Sequence, residues 1–213
     1  ELLLGIQDSA GTLTVYMKSS TGAWVSQWTV AVGDGNLQRF DIAYEQTSGD
    51  ALVVYSGNVA TDGQELKYYT WNGTTWTGPT NLGSTRTTGT VYGVKLSLRT
   101  TSGTDEIGLV YADTNFDLSA NVWTGAAWYG EPGAALATSL SKIGTNTVPT
   151  NRSYDLTFES LSGDLMVIWG IDATADPRYV IKPAGGAWGS TVTATALIEE
   201  GTNLDISSSP ISD

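Results

Sequence analysis

Residues 40–79, FDIAYEQTSGDALVVYSGNVATDGQELKYYTWNGTTWTGP, decide the fold, because the rest of the chain can be laid over them. From Phe40 to Gln46 apolar and polar residues alternate, with Phe40, Ile42 and Tyr44 set against Asp41 and Glu45, which is the two-residue period of a half-buried strand. Residues 47–50 (TSGD) make a tight turn, since Gly tolerates positive φ and Ser and Asp side chains bond the local backbone. Residues 51–55 (ALVVY) are a continuous β-branched and aromatic run, as expected of a strand covered on both faces. A polar loop leads to residues 66–71 (LKYYTW), and Asn72-Gly73 then turns the chain into a last short strand at Trp76. The unit is one antiparallel meander.

Two later segments repeat it, at residues 95–128 and 154–188, and an N-terminal one repeats all but its first strand. In that first unit residues 2–6 (LLLGI) match the second strand, 12–17 (TLTVYM) the third, and Trp24 the closing turn. The missing piece stands at the other end, where residues 204–213 (LDISSSPISD) copy a first strand and its turn. Taking Asp41, Lys95, Asp155 and Asp205 as equivalent gives spacings of 54, 60 and 50 residues, a period that means a propeller or an array. The reading is all-β, a propeller-like array of four antiparallel meander blades in one domain, circularly permuted by one strand. Its blades are 1–39 plus 204–213, 40–94, 95–153 and 154–203.

Permutation predicts a pairing. An uncovered edge carrying Leu2, Leu4 and Ile6 is an aggregation hazard, and the segment with Leu204, Ile206 and Ile211 has the pattern to cover it antiparallel. Two geometries satisfy this: closure of the chain's own ring, or addition to the next molecule's blade, which propagates into a filament.

A formal net charge of −12 with 10 Lys+Arg opposes binding to nucleic acid or anionic lipid. Zero Cys excludes disulfides and thiolate metal sites, and zero His excludes His-activated nucleophiles and imidazole ligands. No apolar run is long enough to insert in a membrane. Low lysine, abundant Thr, Asn and Gly, and acidity suit an extracellular or cell-surface protein, and a chain starting at Glu1 is read as a processed or excised piece of a larger parent.

The units resemble blades of secreted β-propellers of the broad sialidase-like class, whose Asp-box ends in Gly-x-x-Trp. Gly73-Thr-Thr-Trp76, Gly125-Ala-Ala-Trp128 and Gly185-Gly-Ala-Trp188 fit that half, while the Ser-x-Asp half is absent. Similar aromatic-rich turns belong to propeller lectins. The resemblance implies, for a sialidase-like glycoside hydrolase, three clustered arginines and a carboxylate-activated tyrosine. The five arginines, Arg39, Arg86, Arg99, Arg152 and Arg178, fall at unequal places in their units, and Tyr44 and Glu45 point to opposite faces, so no catalytic residue is assigned.

Calcium is considered at Asp113-Thr-Asn-Phe-Asp117, where Leu118 replaces the loop glycine and Thr124 the closing glutamate, so no metal site is assigned. Asn72 and Asn151 head glycosylation sequons. With 8 Trp and 10 Tyr, sugar stacking is the other candidate chemistry. Trp24, Trp76, Trp128 and Trp188 share one repeat position and are expected to pack between blades. Trp71 and Trp123, which start the hairpin turns, are the expected exposed glycan binders. The main reading is a non-catalytic structural or adhesive module that self-associates, and the alternative is a carbohydrate-binding, lectin-like propeller.

Overall fold

The computed structural model describes residues 1–33, 37–83, 87–129, 134–147, 149–195 and 200–211. Blade 1 comprises β1 (Leu2–Gln7), β2 (Thr12–Lys18) and β3 (Val25–Ala31). Blade 2 comprises β4 (Phe40–Tyr44), β5 (Ala51–Ser56), β6 (Leu66–Trp71) and β7 (Trp76–Asn81). Blade 3 comprises β8 (Val91–Leu98), β9 (Ile107–Asp113), β10 (Leu118–Trp123) and β11 (Trp128–Tyr129). Blade 4 comprises β12 (Tyr154–Phe158), β13 (Leu165–Trp169), β14 (Arg178–Lys182) and β15 (Val192–Thr193). Each blade is an antiparallel meander in chain order, and there is no helix among the described residues.

The turns and registers follow the repeat. Gly49, Gly103 and Gly163 have φ of 74°, 85° and 72° at equivalent first turns, a region that an L side chain enters only with strain. Ala51 pairs with Trp71, Ile107 with Trp123, Leu165 with Lys182 and Leu2 with Lys18, which fixes residue equivalence across all four blades.

First strands lie innermost. β4 contacts β8 and β8 contacts β12, so successive blades fan out around a row of first strands. The core is divided into three seams between blades. Val53 and Tyr55 of β5 pack with Leu13, Val15 and Phe40 in seam 1/2, whereas Leu52 and Val54 pack with Ile107, Leu109 and Tyr111 in seam 2/3. This is why residues 51–55 show no alternation: both faces of the strand are buried. Seam 3/4 is built from Val110, Leu118, Leu156, Val167 and Trp169. Each fully buried side chain of this size contributes roughly 1.5–3 kcal/mol.

The two ends differ from the interior. Leu2, Leu4 and Ile6 are 59%, 39% and 47% exposed, although their equivalents in β5, β9 and β13 are buried. Residues 204–211 form no strand, and β1 pairs with β2 alone, so the pairing expected between residues 204–213 and the chain's own β1 is not formed among the described residues. The segment runs instead along blade 4. Leu204 N donates to Arg152 O at 3.1 Å and Ile206 N to Asp155 Oδ2 at 3.0 Å. Those contacts repeat Val94 N to Gln38 O at 3.1 Å and Leu96 N to Asp41 Oδ2 at 2.9 Å, where β8 lies beside β4. Blade 4 thus holds the segment where the first strand of a following blade belongs, and not in a pairing with its own β1. Ile211 projects into solvent, and residues 212 and 213 lie outside the described residues.

Candidate functional site

The seams carry most of the aromatic side chains. In seam 1/2 Trp28 stacks on Tyr69 at 4.3 Å between centroids and meets Trp76 edge-on at 5.7 Å. Trp71, at the end of β6, donates its indole N–H to Glu1 Oε1. In seam 2/3 Tyr68 contacts Trp123 at 5.5 Å and Trp128 at 5.8 Å, and Trp123 Nε1 donates to Glu45 Oε1 at 2.7 Å. Burial pushes the Glu45 carboxyl up from its ordinary range, against the hydrogen bonds from Ser48 and Trp123 that favour the anion.

Trp71 and Trp123 are therefore 8% and 4% exposed, not the open stacking surfaces expected of them. A Trp at the end of a third strand sits inside the seam and faces a carboxylate of the preceding blade. Trp76, Trp128 and Trp188, at the blade margin, are half-buried. Trp76 and Trp128 do pack between blades, edge-on against Trp28 and Tyr68 of the preceding one. Trp24, in the first blade of the sequence, is 42% exposed.

Seam 3/4 departs from this pattern. Lys182 holds the position of Trp71 and Trp123, is 3% exposed, and places its Nζ 4.6 Å from the Tyr129 ring centroid and 3.5 Å from its hydroxyl. Beside it Arg99 pairs with Glu106, which also accepts from Tyr129. Burial lowers the Lys182 pKa, and the Glu106 charge opposes that shift. A cavity of about 10 Å³ remains, room for about one water and no sugar.

A larger recess opens at the starts of the first strands. It measures about 330 Å³ and is lined by Leu37 and Gln38 before β4, Val94 in β8, Arg152 and Tyr154 at β12, and Asn203 before the C-terminal segment. The Arg152 side chain is 38% exposed, with Asp205 Oδ1 3.8 Å from its Nη2. Gln38 anchors its amide nitrogen on Phe40 O at 2.8 Å. No motif marked these residues. The available signal was positional, since Gln38 and Arg152 both stand two residues before a first strand.

A second opening, about 560 Å³, runs between β1 and β4 and is lined by Leu3, Leu4, Gly5, Gln7, Phe40 and Ile42. It occupies the place that a first strand would take in blade 1.

The remaining candidates have structural duties. Asp113 accepts backbone N–H groups from Thr88, Gly89, Asn115 and Asp117, so both its oxygens are committed to the loop backbone. Among the described residues no group of three or more His, Cys, Asp or Glu could hold a metal ion. Asn151 is buried and donates to Ser141 O and Thr202 O, which takes its sequon out of reach of a glycosyl carrier, while Asn72 stays exposed. The arginines are not brought together: Arg39 bonds Val32 O and Asn58, Arg99 pairs with Glu106, Arg152 borders the recess and Arg178 is exposed on β14. Arg86 lies outside the described residues. Burial, and then the Glu1 charge, raise Tyr44 to about 12, opposite to what an activated nucleophile needs.

With this geometry in hand the fold can be placed among known ones. At the level of sequence no family model and no curated protein matches the chain. Solved structures do match it in fold. The six-bladed β-propeller lectin of the fungus Aleuria aurantia superposes with a TM-score of 0.55 at 16% identity, over 97% of this chain and 63% of its own. AofleA from Arthrobotrys oligospora gives 0.56 at 13%, over 94% and 55%. The BP39L lectin from Burkholderia pseudomallei gives 0.56 at 11%, over 93% and 54%. The fold is that of a β-propeller. The chain spans under two thirds of the length of these structures, and its four blades correspond to an arc rather than to the six-bladed ring.

Proposed function

We propose that this chain is a non-catalytic, carbohydrate-binding β-propeller module of an extracellular or cell-surface protein, and that it takes a sugar in the recess at the starts of the first strands. The recess carries the reading. About 330 Å³ is the volume of a small-ligand site, and its lining mixes amide and guanidinium groups, which bond hydroxyls, with Leu37 and Val94, which offer an apolar wall to the C–H face of a pyranose. The likeness in fold to the Aleuria aurantia and BP39L lectins, the former with a novel fucose recognition mode, adds to it. A seam tryptophan has no part in this binding, because the faces of Trp71 and Trp123 are covered.

The test is a glycan array followed by titration calorimetry, with fucosides as the first ligands. Arg152→Ala and Asn203→Ala are expected to weaken binding at least tenfold, about 1.4 kcal/mol each, while Lys182→Met leaves it unchanged. Binding that survives both recess variants would move the site elsewhere. An array without any hit would end the lectin reading and leave the structural, adhesive one, for which the open groove along β1 speaks.

A further inference from the structure

Among the described residues the β1 edge of blade 1 carries no pairing strand, and blade 4 presents its complement. We propose that the β1 edge takes residues 204–211 of a second copy of this chain as its missing first strand, and that blade 1 of one copy stacks on blade 4 of the other, head to tail.

Four observations carry it. The groove of about 560 Å³ between β1 and β4 is bounded by one strand with an open edge and by the first strand of the next blade, the two walls that enclose β4 and β8 elsewhere. The occupant is already extended: residues 204–208 alternate half-buried and exposed with a two-residue period, their amides held on Arg152 O and Asp155 as β8 is held on Gln38 O and Asp41. The register follows from β12 on β13, where Tyr154 pairs with Trp169 and Leu156 with Val167. By that equivalence Leu204 faces Ile6, Ile206 faces Leu4 and Ser208 faces Leu2, so two of the three pairs set apolar side chains opposite one another.

The outer parts of the two faces also correspond. Tyr179 on β14 holds the register position of Tyr68, the ring that Trp128 meets in seam 2/3, so Trp24 of the second copy finds an equivalent aromatic. Lys18 holds the position of Trp71, Trp123 and Lys182, each of which lies toward a carboxylate of the preceding blade, namely Glu1, Glu45 and Glu106. At the corresponding corner blade 4 offers Glu159 and Asp164, whose backbone bond of 2.8 Å matches the 2.7 Å bond of Glu45 and Asp50. Lysine thus meets a pair of acids across the join. The contact is heterologous: it closes into a ring or runs on as a filament according to its rotation. Two copies would supply eight blades, within the range of about four to eight that propellers close with.

The absence of cysteine makes the test clean. Cα atoms directly opposite in an antiparallel pair are about 4.5–5.5 Å apart, inside the range a disulfide spans. Leu4→Cys and Ile206→Cys chains, mixed and oxidised, are expected to yield a disulfide-linked dimer absent from either variant alone. The intact protein is expected to show multiples of 22.5 kDa by light scattering, shifting toward monomer at least tenfold more readily in Lys18→Glu. A parent that stays monomeric at every concentration, a mixture that does not cross-link, or a double variant whose disulfide closes within one chain would each overturn the proposal. Glycan binding is read separately, so failure here leaves the lectin reading standing.

Discussion

Seams 2/3 and 3/4 join equivalent blades at equivalent registers, yet one is closed by an indole on a carboxylate and the other by a buried ammonium over a phenol. Trp123 brings a large apolar surface and one N–H, which Glu45 satisfies. Lys182 brings a charge to a place where Arg99 and Glu106 already pair, and that charge is tempered by the Tyr129 ring and by the Asp164 carboxylate. Equivalent positions in the repeat therefore share the need to fill a seam and not the chemistry that fills it. At this repeat position seam 2/3 is filled by apolar area and one indole bond, and seam 3/4 by charge balance.

The largest expected effect breaks the first seam. Trp123→Ala removes an almost fully buried ring and strands Glu45, and should cost about 3–5 kcal/mol in urea unfolding, or roughly 6–20 °C in Tm. Lys182→Met is the sharper half of the comparison. It deletes a buried cation, keeps most of the volume and leaves Arg99 paired, so stability should stay within about 1 kcal/mol of the parent. A cost equal to that of Trp123→Ala would show that both seams depend on the same bond.

A smaller effect is expected with pH. Burial raises the carboxyl pKa values of Glu45, Asp113 and Asp155 in the fold. A raised carboxyl favours folding while protonated; that contribution is complete below the ordinary carboxylate value, about 4, and fades as pH climbs through the raised one. Thermal unfolding should therefore show a Tm at pH 5 no lower than at pH 7. In Glu45→Gln, which keeps the acceptor for Trp123, the slope between those pH values should be shallower. An unchanged slope would remove Glu45 from the account.

The blade pattern was legible in residues 40–79 because alternation, a glycine turn and a run buried on both faces are local signals, and each appears in β4, the turn at Gly49 and β5. The roles of the tryptophans were not. Trp71 and Trp76 end one strand and start the next, and their register as a cross-strand pair says nothing about how far from the row of first strands the neighbouring blade still covers them. Likewise Asp113 read as a ligand because acidic side chains at alternating positions suit a cation and a turn of backbone amides equally well. The recess at Gln38, Arg152 and Asn203 could not be read at all, since three blades and the C-terminal segment converge there from distant parts of the chain.

The order of the strands also has a meaning in time. Blade 2 runs from Phe40 to Asn81 in strictly local pairings, so at synthesis rates of roughly 5–20 residues per second it can be complete about 2–8 s after its first residue leaves the ribosome. Leu52 and Val54 wait longer, because their seam partners Ile107, Leu109 and Tyr111 follow about 55 residues behind, roughly 3–11 s later. During synthesis each new blade therefore shelters an apolar face that the blade before it has left open to water.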